Sequence, residues 1–382
     1  MKVLSLLLHD ERFSGWTVAD KLARQHFSIQ YMRFCKQKGW EPLLYSFHQH
    51  ARTKQIYRVK DAGIVKIFPV KFRCPPFLSF ANDHNPPLIM REAMTDQPDI
   101  VHFHNYYLAS YPYTATFVKK KLKKPLVAQL HSYIDSHWRR WLYLPSLLAL
   151  KHADHILYSY GPEEKVYRKL GLASKATKVP IPGFDPQIFK REKRCNTDHL
   201  LYVGRIPRPE RAYGEKSPLL LLYVLRKLLR HSKEVVFDIV GDGPGLLHAR
   251  CAVNALGLGK HVVFHGYVPY DELPKYYQSS ALAFSPIRVY DVDGWFDGTI
   301  QESLACGTPV AAFKVSSKTQ LRGTCGFLLS NNLEKAAGEV AELLKRPEDM
   351  DQVAEYGSKF VREKCSCANV AAELQKTWES VI

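Results

Sequence analysis

The stretch DGTIQESLACGTPV at residues 297–310 decides the fold class of this chain. Thr299 is suited to cap a short helix, and Gly307 and Pro309 then end that helix and begin an apolar strand. A helix that leads directly into a buried strand is one step in the alternation from which parallel sheets with crossover helices are built. The stretch therefore indicates an α/β fold.

The same alternation continues on both sides of this stretch. Short apolar runs recur between amphipathic segments of helix length. The predicted strands are residues 2–8, 41–47, 64–68, 100–103, 126–130 and 155–158 in the first half, and 200–203, 235–240, 262–265, 282–285, 309–313 and 326–328 in the second. From residue 333 onward the pattern is helical, with breaks at Pro347 and near Cys365, which predicts two or three closing helices.

The length of 382 residues exceeds what one core usually organises and favours two domains. A Pro- and Gly-rich, then charged segment at 181–194 is interpreted as the linker. We expect two Rossmann-like doubly wound parallel-sheet domains facing a central cleft, at residues 1–187 and 188–364, with 365–382 as a C-terminal helix that packs back on the first domain. Ligands of such sheets bind beyond the carboxyl ends of the strands.

The composition is that of an ordinary soluble protein, with 46% hydrophobic and 24% charged residues. The apolar stretches 142–150 and 219–225 are shorter than the ~18 residues that span a bilayer. Residues 1–8 are followed by charged residues without a small-residue cleavage site, so they are interpreted as a buried strand instead of a secretory signal. The eight cysteines have no zinc-site spacing, which favours reduced thiols in a cytosolic protein.

Nearly all of the net charge of +17 lies in the first half of the chain. Residues 1–190 contain 29 Lys and Arg against 14 Asp and Glu, whereas residues 191–382 contain 25 against 23. Such asymmetry indicates an anionic partner, such as a nucleic acid, an acidic membrane or a phosphate-bearing substrate, although a merely solubilising surface is the alternative. No zinc finger or other nucleic-acid reader is recognised, so nucleic-acid binding is not expected.

Cationic side chains and glycines follow the predicted strands of the second half. Arg205 comes directly after the first of these strands, and Lys216 precedes an apolar helix. A guanidinium fork and an ammonium point charge suit a diphosphate held above a strand end, while a surface ion pair is the alternative. Gly241, Asp242 and Gly243 form a tight turn after the next strand, which either lets backbone approach a ligand closely or is purely structural.

The helix predicted within 297–310 presents free N–H groups and a positive dipole end to a phosphate. Glu302, one turn into that helix, would then lie near an attached ribose. The residues that start the helix, and so form the predicted phosphate contact, are Asp297, Gly298, Thr299 and Ile300.

Six segments of the second half resemble, in order and spacing, the carboxyl domain of the family 4 glycosyltransferases, which have the GT-B fold. They are VGR at 203–205, KS at 216–217, GDGP at 241–244, FHGY at 264–267, DELP at 271–274 and ESLACGTP at 302–309. The first half is similar to the family's successive landmarks through PDIVH at 98–102, PLVAQLH at 125–131, AD at 153–154 and PGFD at 182–185 with Phe189. The resemblance covers most of the chain.

The resemblance implies a retaining hexosyltransferase that needs no metal and uses a nucleoside diphosphate sugar as donor substrate, without a tightly bound cofactor. Arg205 and Lys216 would neutralise the leaving diphosphate, Glu302 would bind ribose, and His131 would lie beside the donor sugar. The donor-binding positions implied are Gly15, Gly204, Arg205, Lys216, Gly241, Asp242, Gly243, Val268, Asp297, Gly298, Thr299, Ile300 and Glu302. The acceptor would be a glycan, a lipid-linked or a phosphorylated molecule.

The sequence departs from the family pattern in three places. The family's acidic residue eight positions before Glu302 is Gly294 here, so either Asp293 or Asp297 substitutes for it or the carboxylate is missing. The interval between Arg205 and Lys216 is longer than in the family. The glycine-rich turn after the first strand is reduced to Gly15 in FSGW at 13–16.

Histidines follow two strands of the first half. A structural, hydrogen-bonded His131 is the alternative to a catalytic one, and the resemblance favours the catalytic interpretation. We expect His102 and His104 to point to opposite faces of their strand and therefore to form no metal pair.

In GT-B enzymes the first domain usually holds the acceptor, and here that domain is basic. The predicted membrane-facing residues are Lys119, Lys120, Lys121, Lys123, Lys124, Trp138, Arg139, Arg140, Trp141 and Tyr143. We therefore expect an anionic or lipid-linked acceptor and peripheral association with the cytoplasmic face of an anionic membrane. A solvated helix end with a core-facing aromatic stripe is the alternative.

Other functions are compatible with the same fold. A GT-B sugar phosphorylase or a sugar-nucleotide epimerase would use the same cleft for different chemistry. If Gly294 marks a lost carboxylate, the chain would be a non-catalytic protein that binds sugar nucleotides. Donor hydrolysis without acceptor, phosphorolysis of a disaccharide, and donor binding without turnover distinguish these alternatives from a transferase.

Overall fold

The computed structural model describes residues 1–8, 22, 27–48, 51–69, 86–105, 110–131, 140–159, 162–179, 183–192, 198–207, 218–231, 234–289, 298–314 and 325–382. The chain forms two compact units. Unit 1 comprises Met1–Ile181 together with Cys367–Ile382, and unit 2 comprises Pro182–Ser366. The chain therefore passes from unit 1 into unit 2 and returns to unit 1 for its last helix.

Unit 1 is an eight-stranded sheet with helices packed on it. Its strands are β1 (Lys2–Leu7), β2 (Glu41–His48), β3 (Gln55–Val59), β4 (Gly63–Pro69), β5 (Ile100–His104), β6 (Leu126–Gln129), β7 (His155–Tyr158) and β8 (Ala176–Lys178). Its helices are α1 (Phe27–Gln37), α2 (Pro86–Asp96), α3 (Ser110–Phe117), α4 (Arg140–Ala149), α5 (Pro162–Lys169) and the last helix of the chain, α12 (Cys367–Val381). A π-helical turn, Val118–Leu122, extends α3.

The strand order of unit 1 is β3-β4-β2-β1-β5-β6-β7-β8. Neighbouring strands are parallel except for the antiparallel pair β3 and β4. The order reverses between β1 and β5, and such a switch point opens a crevice beyond the carboxyl ends of the strands. His104 ends β5 at this edge, and His131 follows the end of β6.

Both faces of this sheet are buried, as parallel sheets require. Leu4 and Leu6 of β1 pack into the core under α2 to α5, while Val3 and Leu7 pack on the opposite face. Alternate residues of β1 thus pack into separate cores on the two faces of the sheet. Removal of each such side chain from water contributes about 1.5–3 kcal/mol, which explains why these strands appear as nearly continuous apolar runs.

Unit 2 is a six-stranded parallel sheet in the order β11-β10-β9-β12-β13-β14. Its strands are β9 (His199–Val203), β10 (Val236–Val240), β11 (Val262–Gly266), β12 (Leu282–Val289), β13 (Val310–Lys314) and β14 (Phe327–Leu329). Its helices are α6 (Leu219–Leu228), α7 (Leu246–Ala255), α8 (Leu273–Gln278), α9 (Gly298–Ala305), α10 (Leu333–Leu344) and α11 (Pro347–Cys365). Numbered within the unit, this order is 3-2-1-4-5-6, the Rossmann order, and it reverses between β9 and β12.

The prediction of two doubly wound α/β domains is confirmed. Each predicted strand is present, with bounds that agree within a few residues, and the closing segment forms the three helices α10, α11 and α12. The sequence did not predict the short edge strands β3 and β8. Within the part of the chain that the structure describes, no helix combines the length and the apolar character needed to cross a bilayer.

Helix α12 belongs to the core of unit 1. Its residues Val370, Leu374 and Trp378 are buried against the face of the sheet that carries Val3 and Ile100. The Trp378 ring also lies 5.9 Å from the ring of Trp40 and 5.6 Å from that of His102, between centroids.

Candidate functional site

The predicted donor-binding residues of unit 2 follow the ends of neighbouring strands. Gly204 and Arg205 come directly after β9, residues 241–243 come directly after β10, and Val268 lies two residues after β11. Because these strands are parallel, their carboxyl ends meet at one edge of the sheet. The structure therefore brings these residues to a single edge, next to the switch point.

Two loops at this edge are joined by backbone hydrogen bonds. The N–H of Gly204 donates to the carbonyl oxygen of Val240 at 2.9 Å, and the N–H of Ile206 donates to that of Asp242 at 2.8 Å. In return, the N–H of Gly245 donates to the carbonyl oxygen of Ile206 at 3.0 Å. The loop after β9 is thus fixed by the loop after β10.

Glycine is necessary in the second of these loops. The φ angle is 137° at Gly241 and 146° at Gly243, a region that L side chains rarely adopt. A Cβ on Gly241 would lie 1.9 Å from the carbonyl oxygen of Gly204, and one on Gly243 would lie 2.5 Å from that of Ile206. The close approach inferred from the sequence is therefore made by the neighbouring loop, which is sufficient to explain both glycines.

Arg205 combines a fixed backbone with an exposed side chain. Its carbonyl oxygen accepts a hydrogen bond of 2.7 Å from the hydroxyl of Tyr202, which is fully buried. As a whole, Arg205 is exposed beyond the carboxyl end of β9. The other predicted residues Gly15, Lys216, Asp293, Gly294 and Asp297 lie outside the described residues.

Helix α9 begins at Gly298, so Thr299 lies in its first turn instead of at the cap position expected from the sequence. The first N–H groups of a helix have no partner within the helix itself. Thr299 is partly exposed, whereas the side chain of Ile300 is buried in the core of unit 2. Ile300 can therefore serve a ligand only through its backbone.

Glu302 is 9% exposed and is held by Tyr277 of α8. The Tyr277 hydroxyl donates to Oε2 of Glu302 at 3.0 Å. The carbonyl oxygen of the same tyrosine accepts a hydrogen bond from the hydroxyl of Thr308, just after α9. Tyr277 thus connects α8 to the middle and the end of the helix that carries Glu302.

Gln301 was not identified from the sequence, yet it is completely buried next to Glu302. Its Oε1 accepts a hydrogen bond of 3.1 Å from the N–H of Gly183, near the start of unit 2. Its Nε2 has no hydrogen-bond partner among the described residues. Gln301 therefore anchors the first residues of unit 2 to α9.

A small pocket lies at the switch point of unit 2, between β9, β12, β13 and α9. It is lined by Val203, Tyr277, Ser285 and Thr299, among others. The hydroxyl of Ser285 is buried there without a hydrogen-bond partner in the described part of the chain. A larger groove beside β14 and α10 contains none of the predicted site residues.

Val268 contributes its side chain to the core of unit 2, where it is 9% exposed. Tyr267, by contrast, is 46% exposed. Of Val268, only the backbone can therefore serve a ligand.

In unit 1, His131 is held by two consecutive residues at the end of β5. Its Nε2 lies 2.7 Å from Nδ1 of His104, and the two rings are stacked with centroids 5.0 Å apart. Its backbone N–H donates to Oδ1 of Asn105 at 3.2 Å. His131 itself is partly exposed, whereas His104 is fully buried.

The expectation that His102 and His104 point to opposite faces was wrong. Residues two apart on a strand share a face, and the two ring centroids are 4.1 Å apart. Burial lowers the pKa of His102 to about 3, against a smaller opposing effect of Gln129 on β6, so the His102 ring is neutral. Neither ring nitrogen of His102 has a hydrogen-bond partner in the described residues.

The shared face of His102 and His104 does not by itself make a metal site. Within the described ranges, no group of three or more His, Cys, Asp or Glu side chains is arranged to hold a metal ion. The contacts of His104 with His102 and His131 are contacts between rings, so the pair is better described as part of a histidine stack.

The predicted lysine run lies at the opposite edge of the unit 1 sheet. The π-helical turn that carries it precedes β6, whereas His131 follows β6. Lys119 forms an ion pair of 2.8 Å with Asp154, which precedes β7, while Lys120 and Lys121 are exposed. The run is thus at the amino ends of the strands, away from the edge that carries His131.

Two family models match the chain. The model described as "Glycosyltransferase Family 4" matches residues 29–188, and that described as "Glycosyl transferases group 1" matches residues 197–346. The first match falls in unit 1 and the second in unit 2, apart from the first model's last residues.

Curated relatives match over parts of the chain. The 2-deoxystreptamine N-acetyl-D-glucosaminyltransferase of Streptomyces fradiae is 35% identical over 126 residues, which cover 33% of this chain and 28% of the relative. The GDP-mannose-dependent alpha-(1-6)-phosphatidylinositol monomannoside mannosyltransferase of Mycolicibacterium smegmatis is 30% identical over 179 residues, 44% of this chain and 46% of the relative. The matched segments span less than half of either relative.

A solved structure is similar over the whole chain. HepE of Anabaena, in complex with UDP-glucose, superimposes with a TM-score of 0.70 at 16% sequence identity and covers 100% of both chains. At this level of identity the similarity concerns the fold alone.

Proposed function

The chain belongs to the glycosyltransferases with the GT-B fold, and from this premise we propose that it is a retaining enzyme that moves a hexose from a nucleoside diphosphate sugar to an anionic or lipid-linked acceptor. The observation that carries the proposal is the edge of unit 2 at its switch point. There an exposed guanidinium on a fixed loop lies at the same edge as a helix that carries a nearly buried, oriented carboxylate.

The diphosphate is assigned to Arg205, Lys216 and the first turn of α9. A glycosidic bond breaks through a cationic sugar and a departing dianion, so fixed positive charge near the leaving oxygens lowers the barrier. The guanidinium of Arg205 supplies that charge with a geometry that matches two phosphate oxygens. The start of α9 adds the positive end of a helix dipole.

The ribose is assigned to Glu302. A carboxylate held by the Tyr277 hydroxyl has a fixed orientation, and carboxylate oxygens are acceptors suited to ribose hydroxyls. The hydrogen bonds to the ribose do not involve the bond that breaks. They therefore position the sugar nucleotide without stabilising the ground state of the reacting carbon.

The donor sugar is assigned to His131 of unit 1, and the acceptor to the same unit. In the proposed reaction, an acceptor hydroxyl attacks from the face that the diphosphate leaves, so the configuration at the sugar carbon is retained. His131 contacts hydroxyl groups of the sugar in this scheme and needs no metal ion. The basic character of the first half favours an acceptor that carries phosphate.

Donor binding is tested by thermal unfolding with UDP-, GDP-, ADP- and CDP-sugars, beginning with UDP-glucose. A ligand at 100 times its Kd stabilises the folded state by about 2.7 kcal/mol, which raises the melting temperature. We expect one nucleotide class to do so, and Arg205→Ala to abolish the shift. Arg226→Ala, an exposed arginine on α6, is the matched control and keeps the shift.

An unchanged shift in Arg205→Ala would contradict the assignment of the diphosphate. Transfer itself is tested with the preferred donor and a panel of phosphorylated and lipid-linked acceptors. Release of nucleoside diphosphate that requires the acceptor supports a transferase, whereas equal release in water alone supports a hydrolase or an epimerase side reaction.

We assign the membrane-binding surface to helices α3 and α4 of unit 1. Tyr113 on α3 and Leu144 and Leu148 on α4 are 46%, 49% and 55% exposed, and the two helices pack side by side. The exposed Lys120 and Lys121 follow α3 directly. Apolar side chains next to lysines are the composition of surfaces that bind anionic bilayers.

Flotation with vesicles that contain an anionic phospholipid tests this surface. We expect the protein to float at low salt, and the double variant Lys120→Glu/Lys121→Glu to remain at the bottom. The control is the double variant Lys335→Glu/Lys345→Glu in unit 2, with one position on α10 and one just after it. It changes the net charge by the same amount and is expected to float. Equal loss in both variants would show a nonspecific charge effect and reject this surface.

A further inference from the structure

His131 is restrained at both its ring and its backbone by the residues that end β5. The His104 ring holds the imidazole through the contact of 2.7 Å to Nε2. Asn105 holds the peptide N–H through Oδ1 at 3.2 Å. Two consecutive residues, the last of β5 and the one after it, thus fix a residue that lies 27 and 26 positions later in the chain.

Asn105 adopts a backbone conformation that is uncommon for residues with a side chain. Its φ angle is 61°, in the left-handed region. Its own N–H donates to the carbonyl oxygen of Gln129 at 2.7 Å, and it is 7% exposed. Such strain persists only where the surroundings impose it, and it is concentrated at functional sites. Here it turns Oδ1 toward the chain that leads to His131.

The surroundings of His104 keep its ring in place. Its ring is tilted by 32° against that of His102, with centroids 4.1 Å apart. It stacks on His131 at 5.0 Å and on Tyr31 of α1 at 6.4 Å, also measured between centroids. Trp378 of α12 contacts His102 from the other side, with centroids 5.6 Å apart. A ring without solvent contact and packed on this many sides has one orientation available.

The contact between the two rings also determines how the two histidines share their protons. A neutral imidazole has one N–H donor and one acceptor nitrogen. In the contact of 2.7 Å, one ring therefore supplies the N–H and the other supplies the lone pair. Nε2 of His131 is engaged in this contact, so the proton at this nitrogen depends on His104.

We propose that His104 is a positioning residue for His131, which fixes both the ring orientation and the tautomer of His131. Asn105 supports this arrangement by anchoring the backbone of the same residue. The catalytic consequence rests on the proposed function, in which His131 contacts the donor sugar. The restraint itself is a property of unit 1 and exists without any substrate.

Nitrogen-15 NMR of the histidine side chains tests the restraint without knowledge of the donor. We expect the wild-type His131 resonances to show one dominant tautomer at neutral pH. In His104→Leu they should move to the values of two exchanging tautomers. His104→Asn is the conservative variant, because its amide reaches the position of Nδ1, and it should restore the wild-type pattern. Identical His131 resonances in the wild type and in His104→Leu would overturn the proposal.

The variant Asn105→Gly provides a second test of the restraint on His131 if His104→Leu does not fold. Glycine adopts a φ of 61° without strain, so the fold should be kept while the contact to the backbone of His131 is lost. We expect the His131 resonances to broaden, because the ring is then held at one point only. Sharp, unshifted resonances in this variant would reject the role of Asn105.

Kinetics then measure the catalytic consequence. A misplaced catalytic group can reduce turnover about 100-fold, so kcat should fall by up to that factor in His104→Leu, while the Kd of the nucleoside diphosphate stays unchanged. His155→Leu on β7, a histidine that contacts Thr177, is the matched control and should keep kcat. If the wild type transfers no sugar but the NMR result is as expected, the proposed function fails and the positioning role stands.

Discussion

The hydroxyl of Tyr277 lies 3.0 Å from Oε2 of Glu302, and this hydrogen bond crosses from α8 to α9 inside unit 2. Both side chains are nearly buried, with exposures of 1% and 9%. A hydrogen bond to a carboxylate in such surroundings is stronger than one between neutral groups. Tyr277 therefore determines which way the Glu302 carboxylate points.

Removal of this hydroxyl should weaken donor binding. In Tyr277→Phe we expect the Kd of the preferred nucleoside diphosphate to rise about 10-fold, equivalent to roughly 1.4 kcal/mol, because Glu302 loses its orientation. Titration calorimetry measures this change. Tyr276→Phe is the matched control, since that neighbouring ring packs against His265 instead. An equal Kd in wild type and Tyr277→Phe would reject the assignment of ribose to Glu302.

The joined loops at the edge of unit 2 should not accept a side chain at Gly241. The Cβ of Gly241→Ala would lie 1.9 Å from a backbone oxygen, so the two loops must separate. We expect the free energy of unfolding to fall by roughly 3 kcal/mol, measured by denaturant unfolding. Gly338→Ala on α10 meets nothing within 4 Å and should increase stability by up to about 1 kcal/mol. An unchanged free energy of unfolding in Gly241→Ala would mean that the loops separate without cost.

Glu163, in the first turn of α5, should make the free energy of unfolding decrease as pH rises above 4.5. It is 3% exposed, neither carboxyl oxygen has a partner among the described residues, and burial raises its pKa well above the ordinary value of 4.5. The folded state therefore keeps this proton to higher pH than the unfolded chain does. Its contribution to the free energy of unfolding is present below pH 4.5 and declines as pH rises.

Glu163→Gln removes this titration and should stabilise the protein at pH 8 by roughly 2 kcal/mol, with the difference vanishing near pH 4. Melting temperatures of wild type and variant across this range provide the measurement. Glu164→Gln, the exposed neighbour that pairs with Arg168, should show no such convergence. A constant difference at all pH values would exclude titration of Glu163 as the cause.

His102 should make unit 1 sensitive to acid. Its folded-state pKa is lowered from 6.5 to about 3 by burial, so between these values the unfolded chain binds a proton that the folded state does not. The free energy of unfolding should therefore decrease by about 1.4 kcal/mol for each pH unit below 6.5, and this loss should be smaller in His102→Gln. Denaturant unfolding from pH 7 to pH 4 measures the slope. Equal slopes for both proteins, with His248→Gln on the surface of α7 as a control, would show that another group is responsible.

The central strands could be predicted because both of their faces are buried. β1 and β5 carry runs such as VLSLL and IVHFH, whose burial leaves a clear apolar signature. The edge strand β3 alternates between exposed and partly buried residues, and β8 has three residues of intermediate burial. Edge strands of this kind contain too little apolar surface to be separated from loops by composition.

Residues of the candidate site could be proposed from the sequence where one strand end or one helix supplies them. Arg205 and Glu302 were proposed in this way, whereas Tyr277 and Gln301 were not, because their partners lie 25 and 118 positions away in the chain. For His104 the signal was present in the sequence. Two histidines two residues apart on a strand share a face, and correct use of that alternation would have predicted the stack.

Helix α12 completes unit 1 after the chain has already built all of unit 2. A fragment that ends at residue 181 would leave the sheet face around Val3 and His102 without the cover that Val370, Leu374 and Trp378 provide. Removal of residues 367–382 therefore damages the amino-terminal half of the protein, and the effect extends through His102 and His104 to His131. During synthesis, the first half cannot reach its finished packing until α12 has left the ribosome.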